Sequence, residues 1–357
     1  MSRIDPIQMN ISHGKIDLKE LTLPALKTWL EKEGAKPFHA GQIFKWVYAR
    51  HVNDFNQMTD LGKRLRKCLM ENFFISRLDK VKMETATDGT RKYLFRLHDG
   101  NYIECVLIPE RNHDTLCVSS QVGCAQECRF CLTGQGGFVR NLSMGEILAQ
   151  VRDIRGELKD PGRLTNLVFM GMGEPLANYE NVVSALSTIT DGSFGLAFSG
   201  RRVTLSTAGL VPNMAKLGRD TTVSLAVSLN ATDNRTRNRL MPINQRYPIE
   251  TLIEACRRYP LKKRRKITFE YILIKDVNDS PRDAERLARL LNPAWAKINL
   301  IPFNAFEGIS FAQPDDAVVE RFTGILQNQR YVTIVRDSKG QDISAACGQL
   351  RVRAAES

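Results

Sequence analysis

The sequence predicts an α/β fold in which parallel strands alternate with helices, preceded by a small helical unit and a short antiparallel β extension. Three observations carry this. From Leu116 onward, apolar runs of strand length recur at Leu167–Met170, Val203–Ser206, Val223–Leu229, Ile267–Ile274, Ile298–Ile301 and Val332–Val335, with helical stretches between them. A repeated β–α order calls for parallel strands with right-handed crossovers, hence a barrel or a doubly wound sheet. Before that region the apolar period is helical from Leu18 to about Phe74 and becomes two between Val81 and Ile108. Finally, 357 residues suffice for one large core and a smaller appendage. The expected divisions are 1–78 for the helical unit, 79–110 for the β extension, 111–340 for the core and 341–357 for a C-terminal segment.

In the helical unit Ile43, Phe44, Val47 and Tyr48 share one face, and Leu61, Leu65, Cys68 and Leu69 form a stripe that puts Cys68 in the core. The pairs Asp88-Gly89 and Asp99-Gly100 are hairpin signals bounding the strands Tyr93–Leu97 and Tyr102–Ile108. Alternation in the second strand sets Glu104 opposite Ile103 and Cys105, and spacing alone favours a solvent-facing carboxylate. In the core, Ser143 and Glu146 make a capping box, and Ser280-Pro281 opens a later helix. Gly171-Met-Gly-Glu174-Pro follows a strand, so it is either a tight β–α turn or a loop whose missing Cβ atoms let a ligand approach.

Four of the eight cysteines fall in Cys117–Cys131, and Cys124, Cys128 and Cys131 are spaced Cys-x3-Cys-x2-Cys. One loop can wrap three such thiolates around an inorganic core, and an iron–sulfur cubane so held keeps one iron without a protein ligand. The alternatives are an incomplete zinc knuckle and cysteines buried as small hydrophobes; a zinc site needs a fourth Cys or His nearby, which does not follow at the usual spacing. The N-terminal residues Met1–Asp5 lack a signal peptide's apolar core, and no apolar run approaches the roughly 18 residues of a membrane span. The expectation is a soluble, cytosolic protein with no membrane partner, in which cysteines serve as ligands or in catalysis rather than in structural disulfides.

Against 39 Asp and Glu stand 51 Lys and Arg, a formal charge of +12. The excess attracts polyanions. It is clustered at Lys262–Lys266, Arg201-Arg202, Arg235/Arg237/Arg239 and Lys63-Arg64/Arg66-Lys67, patches that could pair with nucleic-acid phosphates. A solvated surface is the alternative, and the clustering favours nucleic acid over it.

The cysteine spacing, with Phe130 before the last thiol, resembles the radical S-adenosylmethionine (SAM) enzymes. The stretches LCVSSQ (Leu116–Gln121), GQGGFVRNL (Gly134–Leu142), MGMGEPL (Met170–Leu176), LMPIN (Leu240–Asn244) and AACGQL (Ala345–Leu350) narrow the likeness to the RlmN family, over nearly the whole chain. The resemblance implies a partial (βα)6 barrel, one [4Fe-4S] cluster on Cys124, Cys128 and Cys131 with a SAM-exchangeable iron, and two SAM per turnover. It implies SAM contacts at Gly173, Glu174, Ser206, Ser228, Leu229, Asn230 and Asn304, with Asn230 standing where relatives often have His. It further implies that Cys347 carries the methyl group as S-methylcysteine, that Cys117 forms a transient disulfide with it, and that Glu104 accepts a proton. The implied reaction is methylation of carbon 2 of adenosine in 23S rRNA, at the peptidyl-transferase centre, and in tRNA, 3′ of the anticodon. An electron donor such as flavodoxin or ferredoxin and a monomeric state are the remaining implications. The alternatives are the related carbon-8 adenosine methyltransferase, against which Pro175 speaks, and a non-catalytic, metal-containing RNA-binding protein.

Overall fold

The computed structural model describes residues 11–12, 14–306 and 308–350. Helices α1 (Leu23–Lys32), α2 (His39–Phe44) and α3 (Lys63–Asn72) make the helical unit. Thr22 caps α1 by accepting from the Ala25 N–H, and Pro24 sits in its first turn, where its missing N–H costs nothing. Leu26, Leu30, Ile43, Phe44, Val47, Tyr48 and Leu69 are buried together. Cys68 departs from the expected core position: it is half-buried, with its sulfur 3.8 Å from Glu33 Oε2. Leu61 and Leu69 take the inward face, which leaves Cys68 on the margin of the stripe. A small sheet of Ile11–Ser12, Lys15–Asp17 and Phe73–Phe74 completes the unit. Strands this short leave no period to read in the sequence.

Buried polar bonds fasten the unit to the core. Glu20 accepts from Ser143 Oγ at 2.5 Å and from the Gly145 N–H at 3.1 Å. Arg152 donates to the carbonyls of Val47 and Val52 at 2.8 and 2.9 Å.

Strands β1 (Asp79–Thr85), β2 (Arg91–Arg96) and β3 (Tyr102–Pro109) form an antiparallel meander. Its turns lie at Gly89 and Gly100, both at φ +83, a backbone conformation that favours glycine. Strand β3 pairs antiparallel with β4 (Asp114–Cys117). From β4 the sheet is parallel through β5 (Leu164–Phe169), β6 (Val203–Thr207), β7 (Ser224–Ser228), β8 (Ile267–Leu273), β9 (Ala296–Pro302) and β10 (Thr333–Val335). All ten strands lie side by side in chain order.

Helices follow β4 to β9 in turn: α4 (Met144–Glu157), α5 (Tyr179–Thr190), α6 (Val211–Asp220), the pair α7 (Asn234–Leu240) and α8 (Ile249–Arg257), α9 (Pro281–Leu290) and α10 (Asp316–Asn328). These are six β–α units closed by a seventh parallel strand. Both expected helix starts form, with a full capping box at Ser143–Glu146 and another at Ser280–Asp283 behind Pro281. Val106 and Thr115 from one side of the sheet line the same cavity as Ile301 and Arg336 from the other. A flat sheet would hold them far apart, so the sheet curls into a partial barrel. Among the described residues no helix is long and apolar enough to cross a membrane.

Candidate active site

After β4 the chain crosses a two-stranded ribbon, Gln121–Gly123 against Phe138–Asn141, and enters the cysteine loop. Gly123 has φ +74, and a Cβ there would lie 2.0 Å from the Gly137 carbonyl oxygen, so the loop closes only on glycine. Cys124, Cys128 and Cys131 line one cleft with Gly173, Glu174, Ser206, Ser228 and Asn230. The strand residues among these come from the carboxyl ends of β6 and β7, the end at which barrel enzymes place their chemistry. The cleft has a cavity volume of about 140 Å³.

Gly173 lies at φ +101 with its missing Cβ 2.5 Å from Gln121 Cβ, so the GMGEP turn is pressed onto the strand beside the cysteine loop. Glu174 is buried and its carboxylate is already bonded: Oε1 accepts from the Leu176 N–H at 3.0 Å and Oε2 from the Ala208 N–H at 2.7 Å. Burial pushes its carboxyl up, and these N–H bonds oppose the shift. It thus ties the GMGEP turn to the end of β6 while lining the cleft. Asn230, at φ +57, spends its side-chain oxygen on the Ile272 N–H at 2.9 Å, and its carbonyl accepts from Asn278 at 2.8 Å. Leu229 is fully buried with its N–H on the Glu270 carbonyl, and it does not line the cleft. Asn304 donates to the Cys347 carbonyl at 3.4 Å and accepts from Gln341 at 3.2 Å, so it braces the C-terminal segment and lines a second cleft instead.

That second cleft lies in the barrel interior and holds both Cys117 and Cys347 in its lining. Cys347 also lines the first cleft. It is exposed by surface area, yet the space it faces is the cleft, and the protein around it pushes its thiol up to about 12. Burial likewise pushes Cys117 up to about 12, against a hydrogen bond from the Met170 N–H. Glu104 is 4 % exposed, with Lys92 Nζ 3.4 Å from its Oε1. The solvent-facing expectation fails here because its face of β3, shared with Val106, turns into the curled sheet.

The sequence misplaced Arg237, expected in a phosphate-pairing patch. It is fully buried and donates to the carbonyls of Ala208, Ser228 and Leu229 at 2.8, 3.1 and 3.0 Å and to Asn244 Oδ1 at 2.9 Å. Those carbonyls lie at the ends of β6 and β7, so one guanidinium braces both strands where they meet the cleft. Sequence reasoning missed Glu270, which lines both clefts and is held by Asn299 Nδ2 at 3.0 Å. Its signal was present: a carboxylate in an apolar strand, as at Glu104.

The thiol loop suits a metal cluster. Burial pushes Cys124 up to about 12, Cys128 well above its ordinary value, and Cys131 upward. Thiols so placed stay protonated unless a cation displaces the proton.

A curled sheet of six β–α units bearing a three-thiolate loop beyond its first parallel strand defines a radical SAM enzyme. Residues 118–290 match the radical SAM superfamily, and residues 16–75 match the ribosomal RNA large subunit methyltransferase N-terminal domain. Over 342 residues the chain is 58% identical to the dual-specificity RNA methyltransferase RlmN of Desulfosudis oleivorans, covering 96% of this chain and 92% of that protein. It is 52% identical to the protein of that name from Geobacter sulfurreducens, covering 94% and 92%. A crystal structure of a radical SAM methyltransferase from Sphaerobacter thermophilus is similar at 45% identity and a TM-score of 0.87, over 94% of this chain and 99% of that one. The chain belongs to the RlmN family of radical SAM RNA methyltransferases. Membership implies SAM and a [4Fe-4S] cluster as cofactors.

Proposed function

We propose that this chain methylates carbon 2 of adenosine in 23S rRNA and in tRNA, with Cys347 carrying the one-carbon unit. The observation that supports this most is that Cys347, though 230 positions beyond Cys117 in the chain, lines both clefts and shares the second with Cys117. Carbon 2 of adenine lies between two ring nitrogens and is electron-poor, so an electrophilic methyl finds no nucleophile there. When bound, the cluster, with one iron free for SAM, and two SAM per turnover supply a methyl group and a carbon radical. Cys124, Cys128 and Cys131 hold the cluster; Gly173, Ser206, Ser228 and Asn230 border the SAM space, Glu174 and Arg237 fix its walls, and Asn304 steadies the Cys347 segment. With the one-carbon unit bonded to both the Cys347 sulfur and the base, Glu104, a buried carboxylate beside Lys92, takes the proton from carbon 2. Cys117 then attacks the Cys347 sulfur, so that the S–S bond forms as the bond from that sulfur to the transferred carbon breaks and its electron pair leaves with the product. The electron comes from a flavodoxin or ferredoxin, and the chain acts as a cytoplasmic monomer.

The test is anaerobic turnover of cluster-loaded protein with SAM, reductant and rRNA or tRNA fragments, followed by mass spectrometry of the nucleosides. 2-Methyladenosine is the expected product. 8-Methyladenosine would move the chain to the carbon-8 branch, and intact SAM with unmodified RNA would defeat the proposal.

A further inference from the structure

The second cleft has the make-up of a nucleobase pocket. Val106, Val168, Met170 and Ile301 give it apolar walls, while Arg201, Arg202, Arg336 and Lys339 supply cationic groups for phosphates. Enzymes that act on a base take it out of its stack into such a pocket and read its edge with a few polar groups. The partition shared by both clefts consists of Met170, Glu270, Ile301, Cys347 and Leu350. Besides the thiol, Glu270 is the one ionisable side chain among the described residues of that partition. A base that presents a ring carbon to Cys347 must lay another edge near it.

We propose that Glu270 selects adenine by accepting a hydrogen bond from the exocyclic amine. This rests on the methyltransferase reading above. Asn299 Nδ2 donates to Oε1 at 3.0 Å, and no hydrogen bond from a described residue reaches Oε2. That oxygen is an acceptor set among the apolar side chains of Met170, Ile301 and Leu350 in the partition. Adenine brings an N–H donor on its six-membered ring. Guanine and hypoxanthine bring a carbonyl oxygen at the same position, which a carboxylate repels. Burial pushes this carboxyl up to about 7, opposed by nearby Arg336 and Lys297, so the ionised acceptor predominates above that pH, where the comparison below is made.

The test compares wild type with Glu270→Gln, both cluster-loaded. The substrates are hairpin RNAs bearing adenine, hypoxanthine or unsubstituted purine at the target position, all of which keep a hydrogen on carbon 2. Wild type should favour adenine over either analogue by about tenfold or more in competitive kcat/KM, the discrimination one good base contact supplies. In Glu270→Gln the Asn299 N–H holds the amide oxygen, so the new NH2 group faces the cleft as a donor. The adenine preference should then vanish and hypoxanthine should become the better substrate. Ratios within one variant cancel any general loss of activity, and affinities from fluorescence anisotropy on the same hairpins give a second readout. An unchanged adenine-to-hypoxanthine ratio in Glu270→Gln, in turnover and in binding, overturns the assignment. If wild type methylates none of the three, the methyltransferase reading fails, and the binding ratios still decide the role of Glu270.

Discussion

Replacing Arg237 tests whether the cofactor cleft depends on a single buried guanidinium. Arg237→Met keeps much of the side-chain bulk but removes every donor, leaving the carbonyls of Ala208, Ser228 and Leu229 and the Asn244 oxygen without Arg237. A buried acceptor left unmade costs about 1–3 kcal/mol. Four buried acceptors lose their donor at once, so a total loss of about 3 kcal/mol or more is expected here. Arg237→Lys keeps the charge, yet one ammonium on a single stem cannot reach acceptors that the fork meets from three nitrogens, so roughly half the loss should persist. Urea unfolding of both variants reads the stability. SAM affinity of the cluster-loaded proteins reads the site, and it should fall because the braced carbonyls end the two strands that carry Ser206 and Ser228. A loss below about 1 kcal/mol for Arg237→Met, with SAM affinity unchanged, would refute the argument.

Cys347→Ala should form neither methylated protein nor RNA adduct, while Cys117→Ala should trap RNA covalently on Cys347; denaturing gels with a nuclease control separate the two, and normal turnover by either variant contradicts the two-cysteine scheme. Alanine at Cys124, Cys128 or Cys131 should abolish iron and sulfide binding on anaerobic reconstitution, whereas stoichiometric zinc in wild type would exclude the cluster. Burial raises the Glu20 carboxyl from 4.5 to about 7, so the folded chain keeps a proton the unfolded chain releases. That contribution is fully present below about pH 4.5 and is lost as pH rises through 7; urea midpoints should fall across this window in wild type and stay flatter in Glu20→Gln, and parallel curves would rule it out. Arg265 donates to the Thr222 carbonyl and Ser224 to the Arg201 carbonyl, which brings two basic runs onto neighbouring loops. Charge reversal at Lys262, Lys263 and Arg264 should therefore weaken RNA binding and flatten its salt dependence, and an unchanged slope would mark the run as solvated surface only.

The sequence by itself determined whatever depends on near neighbours. The β–α order, the two helix caps, the glycine turns and the three-thiol loop each lie within a few residues and follow from backbone sterics, capping and period. The chemistry of individual polar residues was decided by tertiary structure. Glu104 reads as solvent-facing and Arg237 as a phosphate ligand from local pattern, and both are buried. Their environments come from the curl of the sheet and from strand ends remote in the chain. Glu270 and Cys347 are 77 positions apart, yet they share a partition between two clefts because β8 and the C-terminal segment converge inside the barrel. Whether a charged side chain meets water, a carbonyl or a ligand depends on what packs against it, and no spacing in the sequence records that.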